Sequence, residues 1–172
     1  IERSYSKLNS ELYEKNIDIE IDNNVHFTGI IDKLMYNTDD YNTYVAIVDY
    51  KTGEAEINFE YLKDGIDIQI PIYMFLTSKL GFKNIKYVGF YLQKFTIDDT
   101  EFKYTGYSNS DKDILSLIDS NYMNSKIIKG LKLNKDGSFS RYSKVLSDEE
   151  IDNIIKETEK QINKTIINIK NN

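Results

Sequence analysis

Residues 45–53, Val-Ala-Ile-Val-Asp-Tyr-Lys-Thr-Gly, are the stretch around which the fold of this 172-residue chain is predicted to be organised. An apolar run rich in β-branched residues leads into an acid and a lysine and stops at a glycine, as in a buried β-strand. Side chains alternate along a strand, so Asp49 and Lys51 share a face with Val45 and Ile47. Charged groups on a core-facing side are costly to bury unless they pair or hold a metal. An isolated acid–lysine pair more often marks an exposed strand end, so the neighbouring sequence decides its meaning.

A predicted hairpin brings a second acid next to this strand. Residues 25–36 are predicted to form a strand, and a polar loop centred near Asp40 returns the chain into the strand of Asp49. Residue 32 then lies opposite about residue 48, which brings Asp32 close to Asp49. Two neighbouring carboxylates repel each other, and a divalent cation would remove that repulsion. The pair therefore predicts a metal site.

Residues 66–80 form the next apolar segment. The first part alternates as a strand would, but the dense apolar run up to Gly81 favours a buried helix. We predict a helix, with Pro71 in its first turn or at a kink. A helix places Gln69 and Tyr73 one turn apart on the same face. The pattern leaves open whether these two side chains line a site or only pack in the core.

Turn residues and apolar spacing predict the remaining elements. They are a helix end or amphipathic arm at 1–14, a half-buried strand at 17–21, a turn at 22–24, strands at 87–95 and 101–107 joined across 98–100, a helix at 111–122, a hairpin at 131–142, and a long amphipathic helix. The hairpin turns at Asp136 and Gly137, a typical turn dipeptide. The long helix opens at Ser147 with a capping box. No repeat or linker divides the chain, which predicts one domain over residues 1–172.

Composition excludes several classes of protein. Hydrophobic residues at 40% and charged residues at 29% are ordinary for a soluble globular domain. No apolar run approaches the roughly 20 residues that span a bilayer, and no signal peptide is evident, so no membrane role and a cytoplasmic location are expected. The absence of cysteine excludes disulfides and thiolate metal sites within these residues. A net charge of -6 argues against nucleic-acid binding by bulk electrostatics, although a local site remains compatible with it. A chain that starts at Ile1 is expected to be a segment of a longer protein.

Three short motifs occur in an order that resembles a known family. They are Gly29-Ile30-Ile31-Asp32, Val48-Asp49-Tyr50-Lys51-Thr52-Gly53 and Gln69-Ile70-Pro71-Ile72-Tyr73. Their order and spacing resemble the RecB-like branch of the PD-(D/E)XK nuclease superfamily, and most closely the C-terminal nuclease domain of the AddB component of AddAB-type helicase-nucleases. The resemblance covers about residues 17–170, with support from residues 87–92 and 126–138. It implies an α/β (α+β) fold with a restriction-endonuclease-like core, a mixed central sheet flanked by helices.

The resemblance also implies roles for individual residues. The metal ligands would be Asp32, Asp49 and the backbone carbonyl of Tyr50, the catalytic lysine would be Lys51, and Gln69 and Tyr73 would line the site. Hard oxygen ligands suit Mg²⁺, with Mn²⁺ as a substitute. The implied function is DNA exonuclease activity in an ATP-dependent helicase-nuclease that processes double-strand breaks for recombinational repair. The implied partners are DNA and the AddA-type component of the helicase-nuclease.

The sequence departs from the family pattern at two places. Relatives of this type carry a histidine in a helix before the first strand, and one cysteine before and three after the core that bind an iron-sulfur cluster. None of these is present in this chain, so its residues alone are expected to show little or no nuclease activity. His26 lies within a strand and is interpreted as a partly exposed strand residue. The alternative function is a non-catalytic DNA- or partner-binding module that retains the fold, which the joint presence of Asp32, Asp49 and Lys51 disfavours.

Overall fold

The computed structural model describes residues 6–22, 25–53, 56–94 and 103–171. One mixed sheet, flanked by helices, runs through this part of the chain, as predicted. Its elements are β1 (Ser10–Asp22), β2 (Val25–Thr38), β3 (Thr43–Lys51), α1 (Gln69–Ser78), β4 (Ile85–Lys94), β5 (Tyr104–Asn109), α2 (Lys112–Leu115), β6 (Ile128–Lys129), β7 (Val145–Leu146) and α3 (Asp148–Lys170). The strand order is β1-β2-β3-β4-β5-β6, and β7 also pairs with β5. The β3–β4, β5–β6 and β5–β7 pairs are parallel and the others antiparallel.

Strand β3 lies in the middle of the sheet and is covered on both faces. Val45 and Ile47 face a core cluster formed with α1 and α3, whereas Ala46 and Val48 face a second cluster that includes Leu115 of α2. Asp49 thus continues the face that α1 covers, as the alternation predicts. Strand β3 pairs with β2 as far as Val48 and with β4 as far as Lys51, so the catalytic candidates at its end continue a strand held on both sides up to Val48.

The prediction of a helical arm is wrong for residues 10–14. These residues begin β1, which pairs antiparallel with β2 from Ser10 opposite Tyr36 as far as Asp22 opposite Val25. The spacing of Leu8 and Leu12 fits a helix, but the ladder with β2 supplies backbone hydrogen-bond partners along one side of this edge strand. The first five residues of the predicted arm and part of the predicted 22–24 turn lie outside the described residues.

The β2–β3 hairpin is confirmed, with a register one residue from the predicted one. Its loop is held by Asp39, whose carboxylate accepts hydrogen bonds from the N–H groups of Tyr41 and Asn42 at 2.8 and 2.7 Å. Lys33, rather than residue 32, pairs with Val48. The loop therefore centres between residues 40 and 41, and the ladder ends at Lys33 and Val48, one residue before Asp32 and Asp49.

Helix α1 is confirmed but is shorter than predicted. It runs from Gln69 to Ser78, and Pro71 is its third residue. A proline costs little in a first turn, where the backbone N–H has no partner within the helix. The helix packs against α3 and β3 and buries Met74 and Leu76 completely. This packing fixes the orientation of its first turn toward the end of β3.

The C-terminal half of the chain matches the prediction at its ends and differs in the middle. Strand β4 and the long helix α3 are confirmed, and Ser147 and Glu150 form the predicted capping box. The predicted helix at 111–122 is only the four residues of α2, followed by turns. The predicted 131–142 hairpin keeps its turn, but it forms one isolated bridge, between Leu133 and Phe139. No helix in the described ranges is long and apolar enough to cross a bilayer.

Candidate active site

The two predicted acids meet at the end of the β2–β3 hairpin. Asp32 accepts a hydrogen bond from the backbone N–H of Tyr50 at 3.0 Å, which fixes its carboxylate against β3. Asp49 has no solvent exposure. Asp32 lies close enough to Asp49 for its carboxylate to raise the pKa of the buried acid. The structure therefore brings together the two carboxylates that the sequence predicts as neighbours.

A distortion of β2 sets the direction of Asp32. Ile31 and Leu34 both face the core beneath α1, so the alternation of inward positions changes between them. On the adjacent strand, Glu14 has a φ of 45°, a left-handed value that is uncommon outside glycine. Its neighbours Tyr13 and Lys15 pair with the residues on either side of Asp32. The β1–β2 ladder is thus irregular beside the acid, a feature that sequence alternation alone does not predict.

Gln69 connects the other site residues through its amide group. Its Nε2 donates to Asp49 Oδ1 at 2.8 Å and to the Tyr73 hydroxyl at 3.0 Å, and its Oε1 accepts from Lys51 Nζ at 2.6 Å. Only this orientation places the amide hydrogens toward the acid and the carbonyl toward the ammonium. Gln69 and Tyr73 are one helical turn apart, as predicted. Tyr73 packs in the core and also bonds Gln69, so it both contributes to the core and lines the site.

Lys51 is the counterion of the buried acid. Its Nζ lies 2.7 Å from Asp49 Oδ2, and its side chain is 30% exposed, so the ammonium reaches the surface from a buried partner. This contact is an ion pair without hydrogen-bond alignment, and Asp49 Oδ2 has no hydrogen-bond partner among the described residues. Burial raises the pKa of Asp49, Lys51 opposes that shift, and Asp32 adds to it. Burial also raises the pKa of Tyr73, and the two acids reinforce that effect.

The oxygen atoms present fit a hard divalent cation. The buried Asp49 carboxylate has Lys51 as its counterion and a second carboxylate, Asp32, beside it, and two adjacent acids are the arrangement that a divalent cation relieves. Among the described residues, no three His, Cys, Asp or Glu side chains lie close enough together to bind one metal ion. Mg²⁺ commonly binds one or two carboxylates and keeps several waters, so two acids suffice as protein ligands. With no cysteine in the chain, an iron-sulfur cluster has no thiolate ligand here.

His26 lies away from this site. Its ring is exposed on β2 and its Nδ1 lies 2.9 Å from Asp18 Oδ1, which raises the pKa of the imidazole. The interpretation of His26 as a surface strand residue is confirmed.

Lys94 is a different case, because the parallel register of β3 and β4 puts its backbone beside that of Lys51. No local motif marks Lys94, and only the pairing of two distant strands could have predicted this placement.

Comparisons with known proteins agree with this geometry. A family model described as the PD-(D/E)XK nuclease superfamily matches residues 2–168. One relative is the B-type subunit of the ATP-dependent helicase/deoxyribonuclease of Alkaliphilus oremlandii (strain OhILAs), which is 27% identical over 165 residues. The match covers 81% of this chain and 14% of that relative. The chain thus spans a small part of the length of the relative that it matches.

Proposed function

Because the chain belongs to the PD-(D/E)XK nuclease superfamily, we propose that it hydrolyses phosphodiester bonds of DNA with a divalent cation bound by Asp32 and Asp49. The observation that carries this proposal is the fully buried carboxylate of Asp49 beside a second acid, Asp32, with the Lys51 ammonium 2.7 Å from Oδ2. A structural ion pair would not need the second acid. Tyr50, whose N–H binds Asp32, is proposed to add its backbone carbonyl as a further ligand.

The proposed mechanism assigns separate tasks to the site residues. A bound Mg²⁺ or Mn²⁺ would activate a water and neutralise charge on the phosphate. Lys51 holds its ammonium beside the acids, where it would position the attacking water or stabilise the developing negative charge. Gln69 keeps Lys51 and Asp49 in fixed relative positions by bonding both. Tyr73 in turn restrains the Gln69 amide from within the core.

The similarity to one component of a helicase/deoxyribonuclease supports a more specific proposal. We propose that the chain acts as the DNA exonuclease part of a helicase-nuclease that processes double-strand breaks, together with the AddA-type component of that enzyme. A second candidate is a non-catalytic DNA- or partner-binding module. It is favoured by the small number of acids, since the described residues offer two carboxylates and no larger ligand cluster.

Titration calorimetry with Mn²⁺ distinguishes these candidates. The wild-type chain is expected to bind the ion, and Asp49→Asn and Asp32→Asn are expected to lose most of that binding. Asp119→Asn is the matched control, because Asp119 is also buried, at 1% exposure, but belongs to the α2 region. Equal binding by the wild type and Asp49→Asn would refute the metal site. In the complete gene product, cleavage of linear DNA should require the same two acids, and metal binding without any cleavage would favour the non-catalytic module.

A further inference from the structure

Residues 126–144 concentrate positive charge in an otherwise acidic chain. This segment, here called the basic arm, contains one acid, Asp136, and six basic residues, namely Lys126, Lys129, Lys132, Lys135, Arg141 and Lys144, whereas the net charge of the chain is -6. Five of the six are exposed or partly exposed at the surface, and Lys144 is half-buried. The single acid is bound by Ser138 within the tip of the arm and is also close to Lys112 of α2. The arm is therefore a local positive surface.

Backbone hydrogen bonds hold the two sides of the basic arm together. Lys144 donates to the carbonyl of Gly130 at 2.9 Å, and Ser140 donates to the carbonyl of Lys132 at 2.8 Å. Apolar residues of the arm, including Leu131 and Phe139, pack on the core cluster beside α2. The positive charges thus lie on a loop of fixed conformation. Because the loop is already ordered, the entropic cost of binding a ligand there is lower.

An exposed aromatic ring lies close to two of these cations. Tyr142 is 61% exposed. The guanidinium carbon of Arg141 lies 4.6 Å from the ring centroid and Lys132 Nζ lies 5.7 Å from it. The described side-chain contacts of both cations are with Tyr142 rather than with a carboxylate. Ring stacking combined with phosphate-binding cations is the usual means of holding a nucleic acid single strand.

The sheet places one residue of the basic arm, Lys129, in the same row of paired residues as Asp49. Asp49 pairs with Leu92, Leu92 with Thr105, and Thr105 with Lys129. Three strand spacings separate Asp49 from Lys129, which is about 14 Å. Such a distance corresponds to about four phosphates at the ~3.4 Å axial rise of one B-form strand.

The far end of the arm also contacts the loop that leaves β3. Lys144 forms an ion pair with Glu56, and its Nζ lies 5.7 Å from the Tyr107 ring. That ring packs on Phe59, at 5.1 Å between centroids. Glu56 and Phe59 follow shortly after Gly53 in the sequence. The arm is therefore anchored beside the segment that continues from Lys51.

We propose that the basic arm binds the sugar-phosphate backbone of a single DNA strand and guides that strand to Asp32, Asp49 and Lys51. This inference rests on the proposed nuclease function and adds the form of its substrate. Lys132 and Arg141 bind phosphates, and Tyr142 stacks on a base. The net negative charge of the chain is compatible with binding because the arm supplies positive potential locally.

Fluorescence anisotropy of a labelled oligothymidine, in EDTA, tests the inference without requiring cleavage. Lys132→Gln combined with Arg141→Gln is expected to weaken binding about tenfold. The slope of log K against log [salt] is expected to become less negative by about 1.4. The matched control is Lys160→Gln combined with Lys164→Gln, which makes the same charge change at exposed positions of α3 and should leave affinity unchanged. Tyr142→Ala is expected to weaken binding of the single strand more than binding of a duplex.

Several results would overturn the inference. Equal weakening by the arm and control variants would show an effect of net charge alone. Duplex bound as tightly as the single strand, with no effect of Tyr142→Ala, would exclude a single-strand site. Polyglutamate bound as tightly as oligothymidine, through the same arm residues, would identify an acidic polypeptide as the partner. Because binding is measured without metal, a failure of catalysis and a failure of the arm are distinguishable.

Discussion

Replacement of Asp49 by asparagine is expected to stabilise the metal-free chain while it removes the metal site. Asp49 is fully buried, and desolvation of a buried ion costs several kcal/mol. Repulsion from Asp32 adds to this cost, and Lys51 offsets part of it. The Lys51 contribution is about 1 kcal/mol, because that side chain is 30% exposed and solvent screens the pair. The amide oxygen can still accept from Gln69, so the hydrogen bond to Oδ1 is retained.

The free energy of unfolding is expected to rise by about 1–2 kcal/mol at neutral pH. This is the desolvation cost and repulsion that the substitution removes, minus the contribution of the ion pair that it loses. For a chain of this size, about 1–2 kcal/mol corresponds to a rise in Tm of roughly 2–8 °C. The gain should depend on pH in a defined direction. The folded pKa of Asp49 is raised, so its contribution to stability is greatest below the ordinary carboxyl pKa of 3.8 and is lost as pH rises through the folded pKa. Asp49→Asn should therefore match the wild type in acid and exceed it at neutral pH.

Thermal unfolding followed by circular dichroism, with and without Mn²⁺, measures both effects. Saturating metal at about 100 times Kd stabilises the wild type by about 2.7 kcal/mol and should reverse the order of the two proteins. Asp119→Asn serves as the control and should show no such reversal. An Asp49→Asn variant that is less stable than the wild type without metal, by the same amount at every pH, would refute the argument that burial and the Asp32 charge dominate at this position.

Three further predictions test the rest of the site and its support. Lys51→Ala in the complete gene product should abolish DNA cleavage and leave Mn²⁺ affinity within about threefold, because the ammonium is proposed to act on the transition state; parental cleavage by this variant would exclude Lys51 as the catalytic lysine. Tyr73→Phe removes the acceptor of one Gln69 hydrogen bond and should cost about 1 kcal/mol in denaturant unfolding, whereas an unchanged midpoint would show that the hydroxyl does not restrain Gln69. Ser147→Ala removes the α3 cap and should cost about 1 kcal/mol of stability without changing Mn²⁺ affinity, and a loss of affinity would show that the cap acts on the site.

The parts of the site that were predictable from sequence depend on local patterns. Gln69 and Tyr73 are four residues apart, so the choice of a helix was enough to put them on one face. The acids were brought together by a hairpin whose loop is marked by polar residues. The register error of one residue arose because a polar loop does not reveal how many residues it leaves unpaired. Its effect was small, since the acids are neighbours in either register.

The parts that were not predictable depend on contacts between distant residues. Residues 10–14 have helical apolar spacing, and only their pairing with β2 makes them a strand. The placement of Lys94 beside Lys51 requires the parallel β3–β4 pair. The distance between Lys129 and Asp49 requires the order of four strands. Local propensity carries no information about such pairings.

The central position of β3 has a consequence for hydrogen exchange and for the rigidity of the candidate site. Its backbone is bonded to β2 and β4, and its two faces are covered by separate apolar clusters. Amide protons of residues 45–48 should therefore be among the slowest to exchange in the chain, because their release requires opening of the whole sheet. The end of the strand that carries Asp49 and Lys51 inherits this rigidity. Under the proposed function, the acids would therefore stay in place without the cation, and the cation could bind again without refolding.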